Sequence, residues 1–159
     1  KNMEWYNFKR QRLQLPIDLV VENAIINELN DGHRLKICIG CDSQVKGKIT
    51  EFATVIVIVR EKKGGFMYYT LQRKVSNMSI KERMITEVNM AVKLAFELCP
   101  TLDKYPVGLE VHVDINTDPG FKSNIALKEA MGYILGMGYI FRAKPDAFAS
   151  SYCADRLVH

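Results

Sequence analysis

The stretch Phe52–Arg60 leaves this chain the least freedom. Its centre, Thr54-Val55-Ile56-Val57-Ile58-Val59, is β-branched at every position. Such side chains are stiff at χ1 and suit a pleated strand better than a helix. The apolar run Ala53–Val59 is strand length and far short of the ~18 residues that span a bilayer. Lys62-Lys63-Gly64-Gly65 follows as a hairpin turn, and Phe66–Lys74 reads as the returning antiparallel strand. Upstream, Leu35–Cys41 reads as a strand ending at Asp42. These three strands form an antiparallel meander.

Helical patterns surround the meander. Ile17–Leu29 repeats Ile17, Val20, Val21, Ala24, Ile25 and Leu29 at helical spacing, with Pro16 before it and Asn30-Asp31-Gly32 as a stop. Ser79–Leu98 is a long amphipathic helix. Ser79 and Glu82 form a capping box, and Pro100 is expected beyond its end. Leu109–Asp114 alternates as a fourth strand, Lys122–Met137 is a helix closed by Gly138, and Tyr139–Ala143 is a short fifth strand. Asp146–Val158 is a final helix. Helical crossovers before the fourth and fifth strands require parallel pairing. The expected fold is α/β: a mixed five-stranded sheet, three antiparallel then two parallel strands, with helices on both faces. One domain over residues 1–159 is expected, with residues 1–33 as a helical extension packed on it.

The 159 residues are 48% hydrophobic and 25% charged, which excludes a disordered or collagen-like chain. Lys and Arg number 22 against 18 Asp and Glu, a net charge of +4 that permits nucleic-acid binding without demanding it. The N-terminal residues Lys1–Arg12 contain no apolar signal core, so a cytoplasmic location and no membrane contact are expected. The start at Lys1 rather than Met fits a trimmed chain. Cys38 and Cys41 have C-x-x-C spacing, but residues three apart on a strand face opposite ways, and no second half-site completes a zinc tetrahedron. Small buried hydrophobes in a reducing compartment are the better reading.

The carboxylates carry the functional signal. Asp42 and Asp114 each end an apolar strand, a position that turn or cap roles also explain. Placing the long helix at 100° steps puts Met84, Val88, Ala91, Ala95 and Leu98 on one face and Glu82, Lys93 and Glu97 opposite. Glu87 falls inside the apolar arc. A buried ionised Glu costs several kcal/mol unless paired or metal-bound; snorkelling to water, or a Lys partner, is the alternative. Asp155 sits in the most apolar helix, where Arg156 or His159 offers another pairing, and Asp146 is explained as that helix's N-cap. Oxygen ligands without Cys or His suit Mg²⁺ or Mn²⁺, and two such ions serve phosphodiester hydrolysis.

Element order and acid placement resemble the ribonuclease H-like superfamily, which places acids on strand one, on the helix after strand three, at the end of strand four and on the last helix. Asp42, Glu87, Asp114 and Asp155 occupy those places in order. Within it the chain is similar to the YkuK family, on Ile39-Gly40-Cys41-Asp42-Ser43-Gln44-Val45, Val111-His112-Val113-Asp114-Ile115-Asn116, and Lys144-Pro145-Asp146-Ala147 through Ala154-Asp155-Arg156. The resemblance implies a nuclease that uses these four acids as catalytic metal ligands for Mg²⁺ or Mn²⁺ and takes RNA or DNA as partner. A single helix between strands four and five leaves no room for the basic protrusion that grips hybrid duplex. The competing expectation is a catalytically inactive nucleic-acid or protein interaction domain on the same fold.

Ser43, Gln44, Lys46 and Lys144 are the expected substrate contacts. Turn chemistry also explains Ser43. Lys46 and Lys48, with Arg60, Lys62, Lys63, Arg73 and Lys74 around the hairpin, suit phosphates or a solvated edge that resists aggregation. His112 shares strand parity with Asp114, and a satisfied buried imidazole is its simplest reading. Asp118-Pro119-Gly120 reads as a turn. Trp5 and Tyr6 pack either on the body or on a second chain.

Overall fold

The computed structural model of the chain describes residues 3–113, 125–142 and 149–158. In chain order the elements are β1 (Tyr6–Asn7), α1 (Ile17–Asn30), β2 (Leu35–Lys46), β3 (Ile49–Arg60), β4 (Gly64–Lys74), α2 (Ile80–Leu102), β5 (Gly108–His112), α3 (Ile125–Gly136) and β6 (Ile140–Arg142). A π-helical turn (Ala149–Ala154) then leads into the short α4 (Asp155–Val158). The six-stranded sheet has the order β1-β4-β3-β2-β5-β6. β2, β3 and β4 pair antiparallel, while β2–β5 and β5–β6 are parallel. The meander, the crossovers and the mixed sheet are as the hydrophobic pattern requires. The sixth strand is an edge: Tyr6 and Asn7 pair with Tyr69 and Tyr68, and the Tyr6 and Tyr69 rings stack at 5.6 Å.

The β-branched run is buried on both sides, as a central strand must be. Ile56 and Ile58 join Ile37, Ile39, Trp5 and the apolar stripe of α2 in the larger core. Val55 and Val57 face the other way, with Cys38, Ala149, Ala154 and Val158. Helices therefore cover both faces: α1 and α2 on one, the C-terminal helical segment on the other. Cys38 and Cys41 fall in opposite cores, and all four cysteines are free. Among the described residues no helix is long and apolar enough to cross a membrane.

Among the differences from expectation, three stand out. β2 continues past Asp42 to Lys46, because Asp42, Ser43, Gln44 and Val45 all keep their ladder with β3, and Lys46 faces Ile49 across a two-residue turn. Gly47 in that turn has φ +65°, the left-handed conformation glycine adopts freely. Ladder pairing needs no apolar side chains, so the loss of hydrophobicity at Asp42 is not the strand's end. α2 also runs through Pro100 to Leu102. Cys99 and Leu102 are fully buried and anchor that last turn, while exposed Pro100 removes only one helical hydrogen bond. The capping box at Ser79 and Glu82 forms as expected. Finally, the last helix opens with π-helical rather than α-helical turns over Ala149–Ala154.

The rim of the β2–β4 meander is tied by Glu51. Glu51 lies across from Gln44 and Arg73 in the two ladders. Its carboxylate is only 5% exposed and accepts from Lys46 Nζ at 3.0 Å and Arg73 Nε at 2.8 Å. Burial pushes this carboxyl up, but the hydrogen bonds from Arg73 and Lys46 outweigh it and hold the pKa below the ordinary 4.5. A depressed carboxyl stabilises the fold above its unfolded pKa and loses that contribution as pH falls through the folded value. The midpoint of thermal unfolding should therefore fall as pH drops below 4.5. Glu51→Gln should lower the midpoint at pH 7 and flatten the acid-side decline relative to wild type; parallel curves would show that the two ion pairs add no pH-dependent stability.

Candidate functional site

The site is built on β2 where it leaves the core. Strand parity puts Cys38, Gly40 and Asp42 on the face of the C-terminal helix, and Cys41 and Ser43 on the face of α2. Asp42 is half-buried, and its Oδ1 accepts the backbone N–H of Ser43 at 2.9 Å. The Asp42 carboxylate is thus turned back toward its neighbour. Ser43 is buried, and its hydroxyl donates to Oε2 of Glu87, which reaches across from α2. Ser43 therefore links the strand carboxylate to the helical one.

The helix geometry explains why Glu87 can reach. Val88, Ala91, Ala95 and Leu98 are buried against the sheet, while Glu82, Lys93 and Glu97 are exposed. Glu87 lies at the margin of the buried stripe, half-buried, on the sheet side rather than the solvent side. One turn earlier, Arg83 sends Nη1 to the Ser43 carbonyl at 3.4 Å, and its Nε is buried with no hydrogen-bond partner. The sequence reading missed Arg83. Its spacing of four residues before Glu87 was the available signal.

Cys41 separates these groups from the core. Thr54 Oγ1 lies 3.5 Å from its sulfur and Met90 Sδ lies at 4.0 Å. Burial pushes the Cys41 thiol well above its ordinary range, and the charges of Glu87 and Asp42 add to the effect. The thiol stays protonated, so the donors at this point of the sheet are oxygens.

A second polar cluster lies on the opposite face of the sheet from α2. Cys38, Glu110 and His112 offer ligand atoms all within 4.8 Å of one another, and all three residues are buried. The cluster is already wired. Glu110 accepts from His112 at 2.9 Å, from Lys36 at 3.2 Å and from Arg142 at 3.3 Å. Burial raises the Glu110 pKa, and these three partners outweigh it and hold the carboxylate ionised. His112 Nδ1 accepts the Ala149 N–H at 3.1 Å, so both ring nitrogens are engaged. Burial also depresses the imidazole's pKa, against the pull of Glu110. Two cations beside the carboxylate and a protonated Cys38 thiol, pushed up by burial, argue for a structural network rather than an ion site. The satisfied buried His112 is the sequence reading's own preference, but its partner Ala149 is remote in sequence.

The remaining expected residues are distributed as follows. Gln44 is half-buried and Lys46 is exposed, both on the Asp42 face of β2, with Lys46 bonded to Glu51. Asp155 opens α4, which packs on β2 and β3; its side chain lies outside the described residues. Asp114, Asp118, Lys144, Asp146 and His159 also lie outside them. Trp5 is buried against the body and Tyr6 stacks on Tyr69, so both pack within the chain. A further group, Glu28, Asp31 and His33, gathers at the end of α1, where Glu28 bonds His33 at 2.9 Å and pairs with Arg60.

No curated protein sequence matches this chain. The ribonuclease H-like family model matches residues 20–159, from α1 through the C-terminal helix. The match spans the meander, the parallel strands and both helical layers, and the mixed sheet with helices on each face agrees with it. The chain belongs to the ribonuclease H-like family.

Proposed function

We propose that this chain is a divalent-metal-dependent nuclease of the YkuK branch of its family, hydrolysing phosphodiester bonds in RNA or DNA. The supporting observation is the Ser43 bridge: one residue donates its N–H to a carboxylate on the strand, Asp42, and its hydroxyl to a carboxylate on α2, Glu87. Register adds a third acid to the reading. Gly40 pairs with His112, and in the sequence Asp42 comes two residues after the first and Asp114 two residues after the second. The fourth, Asp155, is carried by the helix on the Asp42 face.

The donor set fits a hard cation. Asp42 and Glu87 offer carboxylate oxygens, both are half-buried, and the nearby Cys41 thiol is protonated. Asp42, Glu87, Asp114 and Asp155 would hold Mg²⁺ or Mn²⁺, which supplies Lewis acidity toward the phosphodiester and its attacking water. Ser43 orients Glu87 through its hydroxyl and is too buried to present that hydroxyl to a polymer. Gln44 and Lys46 continue the Asp42 face outward and, with Lys144, would contact the substrate backbone. Arg83 adds positive charge beside the Ser43 carbonyl.

Two outcomes test this reading. Asp42→Asn should reduce Mn²⁺-dependent cleavage about 10²-fold or more, the scale of losing one electrostatic contact in a transition state. An absence of cleavage by wild type across single-stranded, duplex, hybrid and branched substrates would favour the inactive interaction domain. Ser43→Ala should weaken Mn²⁺ affinity about 10–100-fold, the usual cost of removing an orienting partner of a ligand, with a smaller loss of kcat at saturating Mn²⁺. Unchanged affinity by calorimetry would show that the Ser43–Glu87 bond orients nothing.

A further inference from the structure

The polar network around His112 joins three elements that share no local sequence. His112 ends β5, Gly40 is its ladder partner on β2, and Ala149 lies in the π-helical turn of the C-terminal helical segment. We propose that His112 is a positioning residue that docks the C-terminal helix, and with it Asp155, onto the strand that carries Asp42. The proposal rests on the reading of Asp42 and Asp155 as parts of one metal site.

A buried backbone N–H needs an acceptor within the protein. Ala149 is fully buried, so its N–H has no water to turn to. His112 Nδ1 supplies the acceptor at 3.1 Å. An imidazole can do this only with its lone pair on Nδ1, which requires the proton on Nε2. Glu110 enforces that arrangement by accepting from Nε2 at 2.9 Å, and Lys36 and Arg142 hold Glu110 in place. Gly40, beside His112 in the ladder, carries no side chain. The apolar contacts of Ala149, Ala154 and Val158 with Cys38, Val55 and Val57 attract the helix to this face. Such contacts are non-directional and do not by themselves fix where a helix stops along a sheet. The directed bond to Ala149 does. The π-helical turn that starts there leads directly into Asp155, so a helix start displaced along the sheet displaces that carboxylate.

The two functions of the ring can be separated by substitution. His112→Asn places an amide oxygen near the Nδ1 position and keeps the acceptor for Ala149. His112→Gln places its amide near the Nε2 position and keeps the donor to Glu110 while losing the acceptor. Both variants are polar and of similar size, so a general loss of packing affects them alike. Mn²⁺ affinity by calorimetry is the main readout, with amide hydrogen exchange at Ala149 beside it and Asp42→Asn as the control that removes the ion.

His112→Asn should bind Mn²⁺ within a few-fold of wild type. His112→Gln should lose about 10–100-fold in affinity, as for other orienting partners of metal ligands, and exchange the Ala149 amide about tenfold faster. Equal Mn²⁺ affinity in the two variants overturns the proposal alone. Wild-type protein that binds no Mn²⁺ overturns the shared site and the proposal with it. If His112→Gln fails to fold while His112→Asn folds and binds, the acceptor is still shown to be the needed group; if His112→Asn folds but loses the ion, the proposal is overturned.

Discussion

β2 is the strand on which everything else is hung. It is hydrogen-bonded along both edges, antiparallel to β3 and parallel to β5, and its central residues are buried on both faces. Such a strand has no freedom to slip, because a one-residue shift would exchange its two buried faces. Ile37, Ile39 and Cys41 belong to the core beneath α1 and α2, and Cys38 belongs to the core beneath the C-terminal helix. Rigid placement of β2 is what makes Asp42 and Ser43 fixed points against which both helical layers are set.

Buried charge in this sheet is handled by repetition of one device. Glu110 lies between Lys36 and Arg142, and Glu51 lies between Lys46 and Arg73. In each case a nearly buried carboxylate is held by one lysine and one arginine whose own side chains are 44% or more exposed. The carboxylate stays ionised because its partners more than offset desolvation, while the cations reach solvent and avoid that cost. Both devices lie on the face of the sheet that also carries Asp42, by strand parity.

Much of this was legible because it is local. The β-branched run, the hairpin and the capping box each follow from a few neighbouring residues, and Glu87 declared itself by its angle on a helix with a clear apolar stripe. The opposed faces of Cys38 and Cys41 followed from period two alone. What escaped was set by partners distant in sequence. The extension of β2 to Lys46 depends on pairing with β3, and the passage of α2 through Pro100 depends on the burial of Leu102. The two-residue strand at Tyr6 exists only because β4 offers an edge, and the link from His112 to Ala149 spans 37 residues. Of the four proposed acids, the described residues bring Asp42 and Glu87 to a common residue, and that residue, Ser43, looked from sequence like turn chemistry.

Strand parity also says where in such a sheet a multi-carboxylate site can stand. Adjacent residues of β2 face opposite layers, so a helical acid from α2 meets Ser43 while the C-terminal helix meets the Asp42 side. Over the middle of the sheet those two layers are separated by the strands themselves. Only where β2 runs out of the core can acids from both layers approach one another around the strand. At this point the backbone N–H of Ser43 donates to Asp42 and the Ser43 hydroxyl donates to Glu87. A strand that ended at Asp42 would leave this point frayed. Continuation of the ladder to Lys46, secured by Glu51, holds it in register.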